Sequence, residues 1–282
     1  MKGIIVAAGY GTRFLPVTKT LPKEMLPLVN KPAVSFVVDE FIESGIREII
    51  IITSRRKKAL EDYFDREAEL ESVFTRENSE KKLSLIRPPE ADVVFIRQQE
   101  MRGTGHALLQ AKPYIGDEPA VVAYPDDIHF GSPPLAAQLI SVWKETSCPV
   151  LATIHDPENI NAYAAVDIAE DGLHVQGLVE KPPKGTEPSH EASIGRYLYT
   201  PDFFRELEEG WKIHQKEGTG EYYHVYPLTK QLERNGVVYK RIEGKRYDTG
   251  TPEGFLTALG AYCGDIPEFR DALLAGLKEM NS

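Results

Sequence analysis

KGIIVAAGYGTRFLP, residues 2–16, opens the chain with an apolar run that leads into a loop with two glycines and an arginine. The run has no polar alternation, which is typical of a strand covered on both faces in a parallel sheet. Gly9 and Gly11 permit positive φ and leave room for backbone N–H groups beside an anion. Arg13 adds a planar, permanently charged group that suits phosphate oxygens. The stretch therefore predicts a buried first strand and a loop that handles phosphate.

The loop differs from two common phosphate-binding motifs. A P-loop needs a glycine, four spacers and then Gly-Lys-Ser/Thr, and the sequence has no such run. The dinucleotide-binding motif needs a third glycine at the place where Phe14 stands. By itself, a Gly-x-Gly after a strand is equally consistent with a tight turn. The sequence that follows, TKTLPKEMLPLVNKP at residues 18–32, decides between these interpretations.

Together, the two stretches closely resemble the signature of the sugar-1-phosphate nucleotidyltransferases, and within them that of the bacterial UTP–glucose-1-phosphate uridylyltransferases. The resemblance extends over nearly the whole chain. It implies nucleotidyl transfer, in which UTP and glucose 1-phosphate give UDP-glucose and pyrophosphate. It also implies a Mg²⁺ cofactor and a homodimer or homotetramer.

Composition limits the possible partners. The chain has 282 residues, and its 33 basic and 43 acidic side chains give a net charge of −10. This balance disfavours a nucleic acid polymer as the main partner, although a local basic site for anionic substrates is compatible with it. Cys148 and Cys263 are isolated, which fits a reducing cytoplasm. No apolar run reaches the ~20 residues that a membrane helix needs. We therefore expect a cytoplasmic protein with no signal peptide and no membrane partner.

Strands alternate with helices through the first 155 residues, which predicts right-handed crossovers and a doubly wound, mainly parallel α/β sheet. After the first strand, further strands are predicted at 47–53, 92–97, 120–124 and 150–155, and helices at 32–44, 105–114 and 134–146. The charged stretch 65–82 is predicted to be a solvated helical insert. Ligands bind such sheets at the carboxyl ends of strands, where the Gly9 loop, Gln98 and Asp126 all lie.

The pattern changes from about residue 163. Short apolar runs predict strands of a mixed or antiparallel region at 164–168, 173–180, 194–199 and 237–242. Helices are predicted at 202–216, 225–234, 252–263 and 267–280. Because no Gly/Ser-rich linker interrupts the chain, we predict one Rossmann-like domain over residues 1–282. Its nucleotide-binding part covers about 1–155, and its sugar-binding and C-terminal helical part covers about 156–282.

QQEMRGTGHA, residues 98–107, resembles the segment of the family that recognises the base. By residue type alone it fits a polar strand end better, although a primary amide such as Gln98 can match a pyrimidine edge. The resemblance implies that Gln98 and Gly103 select uracil together with the backbone of the opening loop. His106 is interpreted as a structural residue at a helix start. The full predicted nucleotide site is Ala8, Gly9, Gly11, Thr12, Gln98 and Gly103.

Two aspartates follow predicted strands in the stretches YPDD (124–127) and RYDTG (246–250). Adjacent carboxylates at a strand end suit a hard cation, although aspartate is also common in caps and turns. The resemblance implies that Asp126 and Asp248 bind one Mg²⁺ and that Asp127 supports the loop.

The remaining predicted site residues are charged. LVEKP, residues 178–182, ends a strand in a charge pair that by itself is most simply solvated. The resemblance implies that Glu180 holds sugar hydroxyls and that Lys181 binds the sugar phosphate. It assigns Arg13 to the triphosphate and Lys23 to the reacting phosphates. The predicted catalytic set is therefore Arg13, Lys23, Asp126 and Lys181.

Three departures from the family pattern leave the sugar open. Ala164 stands where the pattern has glycine, and its methyl group is predicted to border the sugar pocket. His190 replaces an amide. Residues 222–227 form an apparent insertion, predicted on the sugar or dimer side. The alternatives are dTTP or another sugar 1-phosphate as substrate, a glycosyltransferase that consumes a nucleotide sugar, and a non-catalytic regulator that binds nucleotide sugars.

Overall fold

In the computed structural model, which describes residues 1–234 and 236–280, an α/β fold is built around the opening strand. The strands are β1 (Lys2–Val6), β2 (Pro27–Leu28), β3 (Lys31–Pro32), β4 (Glu48–Thr53), β5 (Asp92–Arg97), β6 (Ala120–Ala123), β7 (Asp127–Phe130), β8 (Val150–His155), β9 (Ala164–Ile168), β10 (Val175–Glu180), β11 (Glu191–Tyr199), β12 (Val238–Arg241) and β13 (Lys245–Asp248). The helices are α1 (Ala33–Glu43), α2 (Lys58–Phe64), α3 (Ala68–Arg76), α4 (Glu80–Leu85), α5 (Thr104–Ile115), α6 (Leu135–Thr146), α7 (Pro201–Glu217), α8 (Val225–Glu233), α9 (Pro252–Asp265) and α10 (Pro267–Met280).

Within the described residues, nine of these strands form one mixed sheet. Its main path runs β10-β9-β11-β6-β1-β4-β5, and β8 and β12 extend it beside β11. β6, β1, β4 and β5 are mutually parallel along this path, whereas β11 is antiparallel to β6, β8 and β9. The predicted α/β class, with a mainly parallel first half and a mixed second half, is therefore confirmed.

Both faces of β1 are buried, which explains why its sequence lacks polar alternation. Ile4 packs in the cluster that includes Leu108 of α5, and Ile5 packs on the opposite face with Phe41 of α1. Both isoleucines are fully buried, and each such side chain contributes about 1.5–3 kcal/mol to folding. A Cβ at Gly3 would lie 2.4 Å from the ring of Phe41, so glycine is required there.

Two regions differ in detail from the sequence-based expectations. The polar excursion after β4 forms the separate helices α2, α3 and α4, of which α3 and α4 bury no residue, as expected for a solvated insert. The pairing of β7 with β13 was not predicted. Its antiparallel register places Asp248 opposite Asp127, so residues from both halves of the chain meet there.

The structure also bears on membrane-spanning helices and on the predicted division of the chain. None of the helices in the described part is long and apolar enough to cross a membrane. The division of one domain into parts at 1–155 and 156–282 stays a prediction. Residues 235, 281 and 282 of the second part lie outside the described residues.

Candidate active site

The loops that follow β1, β5 and β6 meet at the carboxyl edge of the parallel strands and border a cavity of about 360 Å³. This volume lies within the range of small-molecule sites. The side chains and backbone that line it include the whole predicted nucleotide site and two charged residues, namely Ala8, Gly9, Gly11, Thr12, Gln98, Gly103, Lys23 and Asp126. The structure thus brings together residues from three separate loops.

The lining of the cavity includes a buried amide. Gln98 is buried, and its Nε2 lies 3.1 Å from the carbonyl oxygen of Gly103. Gly103 has a φ of 96°, and a Cβ there would lie 2.5 Å from the carbonyl oxygen of Tyr222. A side chain at residue 103 is therefore excluded both by the backbone conformation and by the neighbouring chain. Gly103 is thus held against the backbone of Tyr222, beside the amide of Gln98.

The lining of the cavity also includes charged side chains. Nζ of Lys23 lies 2.5 Å from Oδ2 of Asp126. Burial lowers the pKa of Lys23, but the carboxylates of Asp126, Glu24 and Asp248 outweigh burial and leave this pKa above its ordinary value. Behind Lys23, Nζ of Lys57 lies 2.6 and 2.7 Å from the two carboxylate oxygens of Glu24. This buried ion pair anchors the backbone that carries Lys23.

Asp126 and Asp248 converge on Gly250. A Cβ at Gly250 would lie 2.7 Å from Oδ2 of Asp126 and 2.9 Å from Oδ1 of Asp248. The backbone N–H of Thr249 donates to the carbonyl oxygen of Asp126 at 2.7 Å, which ties the two loops together. Burial raises the pKa of Asp126, but Lys23 and Arg246 outweigh burial and leave it below its ordinary value. Oδ1 of Asp248 accepts from the backbone N–H of Gly250 at 2.8 Å, so the carboxylate oxygens of the two aspartates lie on the same side of this glycine.

This donor set fits one hard divalent cation. Mg²⁺ needs only one or two protein carboxylates when phosphate oxygens and water complete its octahedron. Among the described residues, no group of three or more His, Cys, Asp and Glu side chains could hold a metal ion. The pair at Gly250 therefore suits a cation that is shared with a phosphate ligand.

Arg246 is a site residue that the sequence did not reveal. Its guanidinium forms an ion pair with Asp127, and its Nη2 lies 3.4 Å from Oδ2 of Asp248. Its Nη1 donates to the hydroxyl oxygen of Tyr163 at 3.0 Å. Oδ2 of the buried Asp127 also accepts from the backbone N–H of Gly195 at 2.6 Å. The sequence signal for this arginine is its place in the stretch RYDTG. Through its contacts with Asp127 and Asp248, Arg246 holds together the loops that carry Asp126 and Asp248.

The remaining predicted residues lie outside the lining of the cavity. Arg13 is exposed, with Nη1 3.5 Å from the carbonyl oxygen of Gly250. Glu180 ends β10 and Lys181 follows it directly, and both side chains are exposed, with Nζ of Lys181 and Oε1 of Glu180 4.0 Å apart. Ala164 begins β9 and pairs with Glu180 in the β9–β10 ladder. The predicted sugar residues thus lie together at one end of this strand pair.

That residues 222–227 lie on the sugar or dimer side stays a prediction, and the structure shows that Tyr222 contacts the predicted base-binding segment. Its backbone N–H donates to the carbonyl oxygen of Arg102 at 2.7 Å, and its carbonyl oxygen accepts from the N–H of Gly105 at 2.9 Å. Glu221, which sequence reasoning had not assigned, lines the cavity. The backbone of this segment packs closely on Gly103 and Gly105, which positions it. The sequence of an insertion does not show which part of the chain it will contact.

Comparison with known proteins gives one consistent result. The sequence model described as Nucleotidyl transferase matches residues 2–263. The UTP–glucose-1-phosphate uridylyltransferase of Bacillus subtilis (strain 168) is 40% identical over 279 residues, which cover 97% of this chain and 94% of that protein.

Two solved structures are also similar. A UTP-bound UGPase from Acinetobacter baumannii has 29% identity and a TM-score of 0.88, with 99% of this chain and 98% of that chain covered. A UDP-glucose pyrophosphorylase complexed with UDP-glucose has 35% identity and a TM-score of 0.79, with 94% and 98% covered. These matches confirm the resemblance that the motifs indicated. The chain therefore belongs to the nucleotidyl transferase family.

Proposed function

We propose that this chain transfers a uridylyl group from UTP to glucose 1-phosphate and releases UDP-glucose and pyrophosphate. The observation that carries the proposal is a single cavity that is lined both by the amide of Gln98 and by the Lys23–Asp126 pair. Similar proteins are named for this reaction, and similar solved structures contain UTP or UDP-glucose. A uracil ring bound beside Gln98 would leave its phosphates in the same cavity as Lys23.

The chemistry needs positioning and charge neutralisation more than a strong base. A phosphate oxygen of the sugar phosphate attacks the α-phosphorus in line, and the bond from this phosphorus to pyrophosphate breaks. Because a phosphate monoester is largely ionised near neutral pH, no general base has to deprotonate it. Positioned cations stabilise the charge that develops in such transfers.

We assign roles to the positively charged side chains on this basis. Lys23 stays protonated because its pKa is raised, and it binds the reacting phosphates. Arg13 binds the β,γ end of the triphosphate, and Lys181 binds the acceptor phosphate while Glu180 holds sugar hydroxyls. The backbone of Ala8 and Gly9, with Gly11 and Thr12 following, completes the nucleotide site opposite Gln98 and Gly103.

Nucleotidyl and phosphoryl transfers commonly use divalent metal ions, and we propose Mg²⁺ here. Asp126 and Asp248 would hold it, because their carboxylate oxygens converge on Gly250. When bound, Mg²⁺ supplies charge neutralisation on phosphate oxygens. Arg246 and Asp127 keep the two loops in place for this task.

Several features stay predictions from the sequence. They are a homodimer or homotetramer, a cytoplasmic location, and the use of residues 156–282 for the sugar. The free thiols of Cys148 and Cys263 are compatible with a reducing compartment. Ala164 in place of glycine keeps another sugar 1-phosphate as the second candidate.

A pyrophosphate-release assay with Mg²⁺ tests the function. UTP, dTTP, CTP, ATP and GTP are each combined with glucose, galactose and N-acetylglucosamine 1-phosphates. We expect UTP with glucose 1-phosphate to give the highest kcat/KM, with some activity for dTTP because the amide contacts tolerate a 5-methyl group. A purine nucleotide as the best substrate would contradict the base assignment. Release of free UDP from UDP-glucose would instead indicate a glycosyltransferase, and binding without turnover would indicate a regulator.

A further inference from the structure

The amide of Gln98 can take only one orientation. Within the described residues, the amide lies within hydrogen-bond distance of the carbonyl oxygen of Gly103 and of Nδ1 of His106, each 3.1 Å from the same terminal atom of the amide. A carbonyl oxygen only accepts hydrogen bonds, so the atom that faces Gly103 must be the amide nitrogen Nε2. This argument fixes the orientation by chemistry.

Both hydrogens of Nε2 are then used. One is donated to the carbonyl oxygen of Gly103, and the other to Nδ1 of His106, which must be the unprotonated nitrogen of its ring. The amide oxygen is the remaining hydrogen-bonding atom of a side chain that lines the cavity. An acceptor matches the N3–H of uracil, whereas N3 of cytosine is itself an acceptor and would be repelled.

We propose that His106 is a positioning residue that fixes the amide of Gln98 with its oxygen turned to the base, and so sets a preference for uracil over cytosine. The inference rests on the proposed function because it takes a pyrimidine as the ring that binds beside Gln98. It adds a role to a residue that had only a structural interpretation at the start of a helix.

The surroundings of His106 hold its ring in place and keep it neutral. The ring lies against that of Trp211 from α7, with centroids 4.8 Å apart. Burial first, and then Arg102, lower the pKa of His106 below its ordinary value. The other charged groups around it are Glu100 on the same loop and the ion-paired Lys112 and Glu208, which border the crevice at α5 and α7.

Two substitutions of His106 distinguish the effect of its hydrogen-bond acceptor from the effect of its ring. His106→Phe keeps a ring against Trp211 but removes the acceptor, and His106→Asn keeps an acceptor near the position of Nδ1 but removes the ring. Gln110→Ala is the control, because Gln110 donates to the backbone carbonyl of His106 at 3.1 Å and leaves Nδ1 intact. Circular dichroism and thermal melting establish that each variant is folded.

The first measurement is the Kd for UTP and for CTP, by calorimetry without sugar phosphate. We expect His106→Phe to weaken UTP binding roughly three- to tenfold, the effect of one neutral hydrogen bond, and to lower the preference for UTP over CTP by a similar factor. His106→Asn should recover most of the preference, and Gln110→Ala should keep all of it. The KM for UTP should rise in the Phe variant with kcat nearly unchanged.

The second measurement is the ratio of the two Kd values between pH 8 and 5.5. Protonation of Nδ1 removes the acceptor. Because the pKa of His106 lies below its ordinary value, the preference for UTP in the wild type should persist at neutral pH and fall only in the acidic part of this range. The phosphates of UTP and CTP ionise alike, and His106→Phe, which has no titrating ring at this position, is the reference for any protonation of N3 of cytosine. The part of the fall that comes from His106 should be absent in this variant.

An unchanged UTP preference in His106→Phe, or the same loss in the Asn and Phe variants, would overturn the inference. A lower kcat with an unchanged preference would overturn it as well. If the wild type binds UTP selectively and makes no UDP-glucose, the proposed function fails. A loss of selectivity in His106→Phe would then still support the positioning role.

Discussion

Nζ of Lys23 lies 2.5 Å from Oδ2 of Asp126, a residue 103 positions further along the chain. The pair joins the loop after β1 to the loop after β6. It raises the pKa of Lys23 and lowers that of Asp126, both against the effect of burial. Carboxylate oxygens of Asp126 and Asp248 lie beside the same glycine, Gly250. A metal ion bound between them therefore has to compete with the ammonium group of Lys23 for Asp126. We therefore expect tight metal binding only when a triphosphate draws Lys23 to its own oxygens.

The shared-metal proposal predicts that Asp126 and Asp248 act as a unit. Each single Asp→Asn change should raise the Mg²⁺ concentration required for turnover and lower kcat. The double variant should lose much less than the product of the two single losses. Steady-state kinetics over a Mg²⁺ series measures this, with Asp92→Asn, an exposed aspartate at the start of β5, as the control. Strict additivity of the two losses would contradict a common ion.

Arg13→Ala should lower kcat/KM by roughly two to three orders of magnitude, since one preorganised charge donor is lost. In the structure Arg13 is exposed near the carbonyl oxygen of Gly250, so its role depends on a bound triphosphate. Lys19→Ala, another exposed cation of the same region, is the matched control and should have little effect. A loss of tenfold or less, in a variant that circular dichroism shows to be folded, would show that Arg13 does not bind the triphosphate during the reaction.

Ala164→Gly should change the choice of sugar and leave the KM for UTP nearly unchanged. Ala164 pairs with Glu180 on β10 and with Ser193 on β11, so its methyl group lies among the predicted sugar residues. The expected change in discrimination is about 1–3 kcal/mol, as for a methylene-scale change in a pocket. Comparing kcat/KM across sugar 1-phosphates measures it. An identical ranking of sugars would show that residue 164 is not a wall of the pocket.

Glu191 predicts a pH-dependent contribution to stability outside the site. The carboxylate is buried and accepts from Oγ1 of Thr153 at 2.8 Å, from Nε of Arg241 at 3.0 Å, and contacts Nδ1 of His155 at 3.1 Å. Burial raises its pKa, but these partners outweigh burial and leave the pKa below its ordinary value.

A carboxyl group with a lowered folded pKa stabilises the fold above its unfolded value, about 4.3, and the stabilisation is lost as the pH falls through the folded value. Glu191→Gln should therefore lower the free energy of unfolding by about 1–3 kcal/mol at pH 7. The difference from the wild type should shrink below pH 4. Urea titrations at pH 7 and pH 3.5 measure both values, and a constant difference would contradict the assignment.

The sequence was most informative where burial alone determines local structure. β5 has the bounds that its apolar run predicted, and β1 and β4 form in the parallel order that the alternation of strands and helices indicated. The residues from Ala8 to Thr12, with Gln98 and Gly103, line one cavity because they follow parallel strands.

Long-range pairing was not predictable from local patterns. β7 and β13 have four residues each, too few for a clear period, and they stabilise each other across more than a hundred residues. Arg246 owes its place to this pairing. The segment at Tyr222 lies against Gly103 and Gly105 through backbone contacts, which leave no signal in side-chain composition.

The most direct test of the central claim follows the α-phosphorus of UTP. The enzyme is incubated with glucose 1-phosphate, Mg²⁺ and UTP that is labelled at the α-phosphate, and the products are separated. The account predicts that the label appears in UDP-glucose in a one-to-one ratio with unlabelled pyrophosphate. Label that remains in UTP, or that appears in free UMP or UDP while glucose 1-phosphate is not consumed, would contradict it.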